Sequence, residues 1–136
     1  MPRSRGNPDQ LKTKYVFGLA PKVKGHIAYL GEEQTVAYPT GHAVVVLDHL
    51  SGQQRFITCS REKNGISAFC AHAETNVIAV VESGPVPSIC VYSAGNPVEK
   101  VVNMPLSCVE ATKGVCMQFS TDGQYLLVLT GKPDWQ

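Results

Sequence analysis

An apolar strand that runs into a tight turn and restarts at once as a second apolar strand occurs three times along this chain, and that repetition constrains its fold most. The best-preserved copy is Phe119-Ser120-Thr121-Asp122-Gly123-Gln124-Tyr125-Leu126. Asp and Gly stand where a hairpin needs a side chain that bonds its own backbone and a residue that tolerates positive φ. Before the turn, Val115, Met117 and Phe119 alternate with Cys116 and Gln118, so one face of a strand is buried. After it, Tyr125 to Leu129 is apolar throughout, which predicts a strand sandwiched between neighbouring sheets. A second copy runs from Ile66 to Ala71, turns through His72-Ala73-Glu74-Thr75-Asn76 and resumes as Val77 to Glu82. A third begins His26-Ile27-Ala28-Tyr29-Leu30, turns at Gly31-Glu32-Glu33 and resumes at Gln34-Thr35-Val36-Ala37-Tyr38. Aligned positions lie 42 residues (Thr35 to Val77) and 48 residues (Val77 to Tyr125) apart.

The later parts of each unit extend the pattern. Pro39-Thr40-Gly41 makes a turn, Ala43 to Asp48 a third strand, Ser51-Gly52-Gln53 another turn and Arg55 to Thr58 a fourth strand. In the second unit Ser88 to Tyr92 and Val98 to Val102 take the third and fourth places, with Ser83-Gly84-Pro85-Val86-Pro87 as the loop before them. Four-stranded units with a period of roughly 40 to 45 residues are the signature of WD-type β-propellers. Leu47-Asp48 and Tyr92-Ser93 stand where such repeats carry Trp-Asp, so no unit has the true dipeptide. The expected fold is therefore all-β, a partial WD40-type β-propeller of about two and a half blades of antiparallel sheet. Its expected divisions are a basic flexible tail at 1–13, then the start of the propeller at 14–136, with blades at about 26–58, 66–103 and an incomplete 114–136. Lys14 to Leu19 reads as a short strand ahead of the first blade.

Apolar residues at 43% and charged residues at 17% of 136 suit a packed domain rather than a disordered chain. No apolar run approaches the ~20 residues of a membrane span, and the start of the chain lacks the apolar core of a signal peptide, so a cytoplasmic protein without a membrane partner is expected. Charge is uneven: residues 1–25 carry a net +5 and the remainder a net −4. Arg3, Arg5, Lys12, Lys14, Lys22 and Lys24 supply the positive charge, as a solvated tail or as candidate contacts to a polyanionic partner surface such as an acidic tubulin face. No aromatic residue is interleaved with these charges before Tyr15, which disfavours nucleic acid. The five cysteines, Cys59, Cys70, Cys90, Cys108 and Cys116, are odd in number and form no C-x-x-C pair. They read as reduced thiols, several within strands, rather than a disulfide frame or zinc site.

Catalytic constellations are missing from the sequence pattern. Gly65-Ile66-Ser67-Ala68-Phe69 begins like a nucleophile elbow but lacks the closing small residue and places Ser67 inside a strand. Gly131-Lys132 has Leu126 where a phosphate loop needs glycine, and Pro133 follows where Ser or Thr should. His26, His42, His49 and His72 share no metal-binding spacing. A Cys/His hydrolase would assemble in space rather than in sequence, but these cysteines read as packing residues. His72 occupies the position that is Ser120 in the third unit, Glu74 and Asp122 occupy equivalent turn positions, and all three are expected to shape hairpins. No catalytic, cofactor-binding or metal-ligating residue is therefore assigned, and an enzyme is not expected.

With these units in place, the chain from about Tyr15 to Gln136 resembles the N-terminal region of a ciliary WD-repeat family. The likeness rests on Val16-Phe17-Gly18-Leu19, on His26-Ile27-Ala28-Tyr29 with Gln34 and Pro39-Thr40-Gly41, on Ile78-Ala79 with Glu82, and on Phe119-Ser120, Tyr125-Leu126-Leu127 and Lys132-Pro133-Asp134-Trp135. It implies an axonemal scaffold of cilia or flagella that helps dock or regulate inner dynein arms on doublet microtubules. Implied partners are inner dynein arm subunits, tubulin and other ciliary WD-repeat proteins. In that family two propellers precede a long coiled coil, whereas no heptad pattern occurs here. Because a propeller closes with ~4 to 8 blades, a longer parent polypeptide is expected, and intact mass of the native protein tests it. Two other readings remain: a generic cytosolic WD-repeat scaffold, and a small β-rich ligand-binding domain.

Overall fold

The computed structural model describes residues 18–20, 23, 27–31, 34–59, 64–95, 97–107 and 114–131. Among them lie ten strands and three separate sheets. The first sheet contains β1 (Ala28–Leu30), β2 (Thr35–Pro39), β3 (Ala43–Asp48) and β4 (Gln54–Thr58) in chain order. The second contains β5 (Ile66–His72), β6 (Val77–Glu82), β7 (Ser88–Ser93) and β8 (Glu99–Pro105), again in order. The third pairs β9 (Gly114–Phe119) with β10 (Leu126–Thr130). All pairings are antiparallel, so each sheet is a meander whose turns alternate between its two ends.

Side-chain alternation decides how the sheets stack. In the second sheet Phe69, Ile78, Val80, Cys90 and Tyr92 join Leu30, Ala37, Val44, Val46 and Ile57 of the first in one buried cluster. Their neighbours in sequence, Ala68, Ala79, Val81 and Ile89, point the other way and meet Met117, with Phe119, Leu126 and Val128 packed alongside. The period of two thus gives β6 and β7 two apolar faces, which is why Val77 to Val81 reads as a continuous apolar run. Each fully buried Val, Leu, Ile or Phe among them stabilises the stack by about 1.5–3 kcal/mol before entropy is counted. The opening strands lie side by side, β1 next to β5 and β5 next to β9, while β8 is exposed along its whole length. Inner strands gathered together with the chain's later strands toward the outside is the arrangement of propeller blades around an axis.

Several expectations shift in detail. Tyr125 precedes β10 rather than belonging to it, and β10 is not sandwiched: Leu127 is 75% and Leu129 43% exposed, because the described residues place no sheet against that side. His72, expected in a turn, ends β5, since its backbone still pairs with Val77. The fourth strand of the second sheet starts and ends later than expected, and Pro39 closes β2 rather than opening the turn. Gly18 and Leu19 lie outside any strand. The rest of the short strand read at Lys14 to Leu19, and the tail before it, lie outside the described residues.

Candidate interaction surface

The strands are committed to one another, so the surfaces that can meet a partner are the turns at each end of the sheets and the side left uncovered. One end gathers the hairpins that follow β1, β3, β5, β7 and β9. Asp48 closes its hairpin by accepting the N–H groups of Leu50 (3.0 Å) and Ser51 (3.1 Å) on Oδ1, while its carbonyl receives Gly52 N–H (2.8 Å). Those donors, Ser51 first, hold its carboxyl below the usual range. Asp122 does the equivalent in the third sheet: Oδ1 accepts the Ser120 hydroxyl at 2.5 Å and Gln124 N–H at 3.0 Å, and the Ser120 bond leads in lowering its pKa. Asp122 does the hairpin work expected of it, and Asp48, read as the end of a strand in the Trp-Asp position, does the same work unexpectedly. Glu74 is exposed on its turn.

Bonds between hairpins join this end across all three sheets. Gly31 N–H donates to Ala73 O at 3.0 Å, and Arg55 Nη1 reaches Gly95 O at 2.6 Å, tying the first sheet to the second. His72 ties the second to the third. Thr75 N–H lies 3.3 Å from its Nδ1, which makes that nitrogen the acceptor and leaves Nε2–H to donate to Thr121 O at 3.0 Å. Phe119 meets the imidazole edge to face at 6.0 Å. A Cβ at Gly123 would stand 3.2 Å from the His72 ring, so the third hairpin reaches this histidine because it carries glycine there. This link has no signature in the sequence, since it joins residues 49 apart that each read as local turn residues.

The seam between the second and third sheets is fixed near its other end as well. Gly114 N–H donates to Ser67 Oγ at 3.1 Å, and a Cβ on Gly114 would come within 2.9 Å of Val81 Cγ2. Ser67 sits at a β-bulge, and its hydroxyl also lies 3.4 Å from Val81 O. That hydroxyl is engaged in structure where the sequence offered a degenerate nucleophile motif.

The thiols are occupied in packing. Cys59 and Cys90 are buried in the first seam, and burial raises both pKa values; Cys70, half-buried, is pushed up to about 12 for the same reason. Tyr92 is likewise raised by burial, with Lys100 Nζ 5.6 Å from its ring centroid. Cys70 and Cys116 border an open groove of about 310 Å³ along the inner strands, together with Ile27, Ala28, Ala71 and Gln118. Among the described residues no group of three or more His, Cys, Asp or Glu side chains could hold a metal ion.

Two apolar surfaces remain open. Leu127 and Leu129 project from β10 beside its unpaired edge, with Tyr125 72% exposed at the turn before it. On β8, Val101 and Met104 are exposed. The basic candidates Arg3, Arg5, Lys12, Lys14, Lys22 and Lys24 all lie outside the described residues.

No family model matches the chain. Among curated proteins it is similar to mouse cilia- and flagella-associated protein 57, with 28% identity over 122 residues that cover 88% of this chain. The chain spans only 10% of that protein's length. Among solved structures, a chain of the crystal structure of the mitotic checkpoint complex, a WD40 propeller, aligns with a TM-score of 0.62 at 14% identity, covering 76% of this chain and 32% of that one. At that identity the likeness speaks for the fold alone. The chain is thus an all-β set of WD40-type propeller blades, and its sequence is similar to a cilia- and flagella-associated protein.

Proposed function

We propose that this chain is a non-catalytic protein-interaction scaffold of the ciliary or flagellar axoneme, where it helps dock or regulate inner dynein arms on doublet microtubules. The observation that carries the reading is the similarity to cilia- and flagella-associated protein 57 along 88% of the chain. A scaffold role is supported by the commitment of the strands to stacking, which leaves hairpins and rims as the surfaces for recognition. A non-catalytic role is supported by the engagement of the Ser67 hydroxyl and the burial of the Cys59 and Cys90 thiols. In this reading the blades run over about 26–58, 66–103 and 114–136, preceded by a basic tail at 1–13. Arg3, Arg5, Lys12, Lys14, Lys22 and Lys24 contact acidic partner surfaces, with tubulin, inner-arm subunits and other ciliary WD-repeat proteins as partners.

Deleting the gene in a ciliated cell tests this. Cilia should still assemble but beat abnormally, with inner-arm dynein subunits depleted from isolated axonemes. Normal beating with a full inner-arm complement would contradict the proposal. A cytosolic WD-repeat scaffold of another complex shares the fold and predicts that second result.

A further inference from the structure

Asn64-Gly65, at the junction between the first two sheets, is the chain's one Asn-Gly step. An asparagine side-chain amide is open to attack by the backbone nitrogen that follows it, and glycine, with no Cβ, leaves that nitrogen least shielded. The other asparagines are placed differently. Asn7 and Asn96 precede prolines, which carry no N–H, while Asn76 and Asn103 precede Val77 and Met104, whose side chains crowd the attacking nitrogen.

The junction holds the backbone on both sides of this step and leaves the Asn64 residue exposed. Asn64 N–H donates to Ser83 O at 2.8 Å, and Gly65 O receives Ser83 N–H at 2.9 Å and the Ser83 hydroxyl at 3.1 Å. Ile66 N–H donates to Gly41 O at 2.9 Å. Gly65 has φ +99°, a conformation that side chains disfavour, and a Cβ there would stand 3.1 Å from Gly41 O. The comparable Asp122-Gly123 step is protected. Gly123 N–H is spent on Ser120 O at 2.9 Å, and the Asp122 carboxylate, held by Ser120 and Gln124, is a poor electrophile when ionised.

We propose that Asn64 is a site of spontaneous deamidation in the folded protein, with water as the co-reactant and Ser83 setting the rate. Gly65 N attacks Asn64 Cγ, the N–Cγ bond forms, the Cγ–NH₂ bond breaks and ammonia leaves with the proton that Gly65 gives up. Water then opens the resulting five-membered imide at either carbonyl, giving aspartate or isoaspartate. Ring closure requires rotation about the Asn64 Cα–C bond, which the Ser83 bonds on each side resist. Isoaspartate adds a backbone methylene between residues 64 and 65, so the paired bonds to Ser83 can no longer both be kept. The product therefore loosens the joint between the first two sheets.

The test is peptide mapping by mass spectrometry of the full chain, incubated folded at mildly alkaline pH. A gain of one mass unit at residue 64, in separable aspartyl and isoaspartyl forms, is expected before any gain at Asn76 or Asn103. It should appear faster in Ser83→Ala, which removes the hydroxyl bond to Gly65 O while keeping both backbone bonds, and be lost in Asn64→Gln. If residue 64 stays unchanged in the folded chain while the urea-unfolded chain gains the mass, or if Asn76 and Asn103 change as fast as Asn64, the proposal is overturned.

Discussion

Single atoms decide whether the blades can stack. Gly114 is the sharpest case, because a methyl group there meets Val81 Cγ2 at 2.9 Å while the backbone N–H must still reach Ser67 Oγ. Its φ is not in the left-handed region, so the cost of Gly114→Ala is overpacking alone, about 1–3 kcal/mol in chemical denaturation. Val81→Ala in the same chain should recover part of the loss relative to the sum of the single changes. His72→Ala removes the bond to Thr121 and the contact with Phe119 together, and a loss of about 1 kcal/mol is expected by the same measurement. The aspartate hairpins carry a pH dependence of defined sign. Asp48 and Asp122 have pKa values lowered by hydrogen bonds that the unfolded chain lacks. Their contribution is therefore present above the unfolded carboxylate value, about 3.9, and is lost as pH falls through the lower folded values. Thermal melts between neutral and acid pH should show a shallower acid decline in the Asp48→Asn, Asp122→Asn double variant than in the parent. At this scale the sequence was a good guide to local geometry at Asp122-Gly123, which does form its turn. It was silent on His72 and Gly114, whose partners are far away in the chain.

Among elements, β10 shows what periodicity can and cannot disclose. Tyr125 to Leu129 is apolar at every position, as Val77 to Val81 of β6 is, and it reads as a strand buried on two faces. β6 has a neighbour on each side and is buried; β10 has one, and Leu127 and Leu129 remain open. The sequence encodes the affinity of a face for apolar cover, and the surroundings decide whether it is met. The strand order was legible because each meander is local, with short turns marked by Gly, Pro, Asp and Ser. Strand ends were less so, since β8 continues to Pro105 through residues that are exposed on both faces and carry no alternation to mark a boundary. An open leucine face beside an unpaired edge favours self-association. Leu127→Lys should lower the weight-average mass in sedimentation of concentrated protein. Its effect on stability in denaturant should stay within about 0.5 kcal/mol, since the side chain it replaces is already in solvent.

At the scale of the whole molecule, the hairpin bonds at one end and the packing along each seam make the three sheets one stack with its rims facing outward. The similarity to a cilia- and flagella-associated protein gives the proposed setting of this stack. In the proposed reading, the basic segment, net +5 over residues 1–25 against −4 for the rest, would add a salt-sensitive attraction to acidic partners. The measurement that bears most directly on this account is the location of the endogenous, tagged protein in ciliated cells after detergent removes the ciliary membrane and matrix. The protein should remain on the axoneme along the doublets and be released by raised salt. Its absence from the demembranated axoneme, with the signal left in the cell body, would contradict the account.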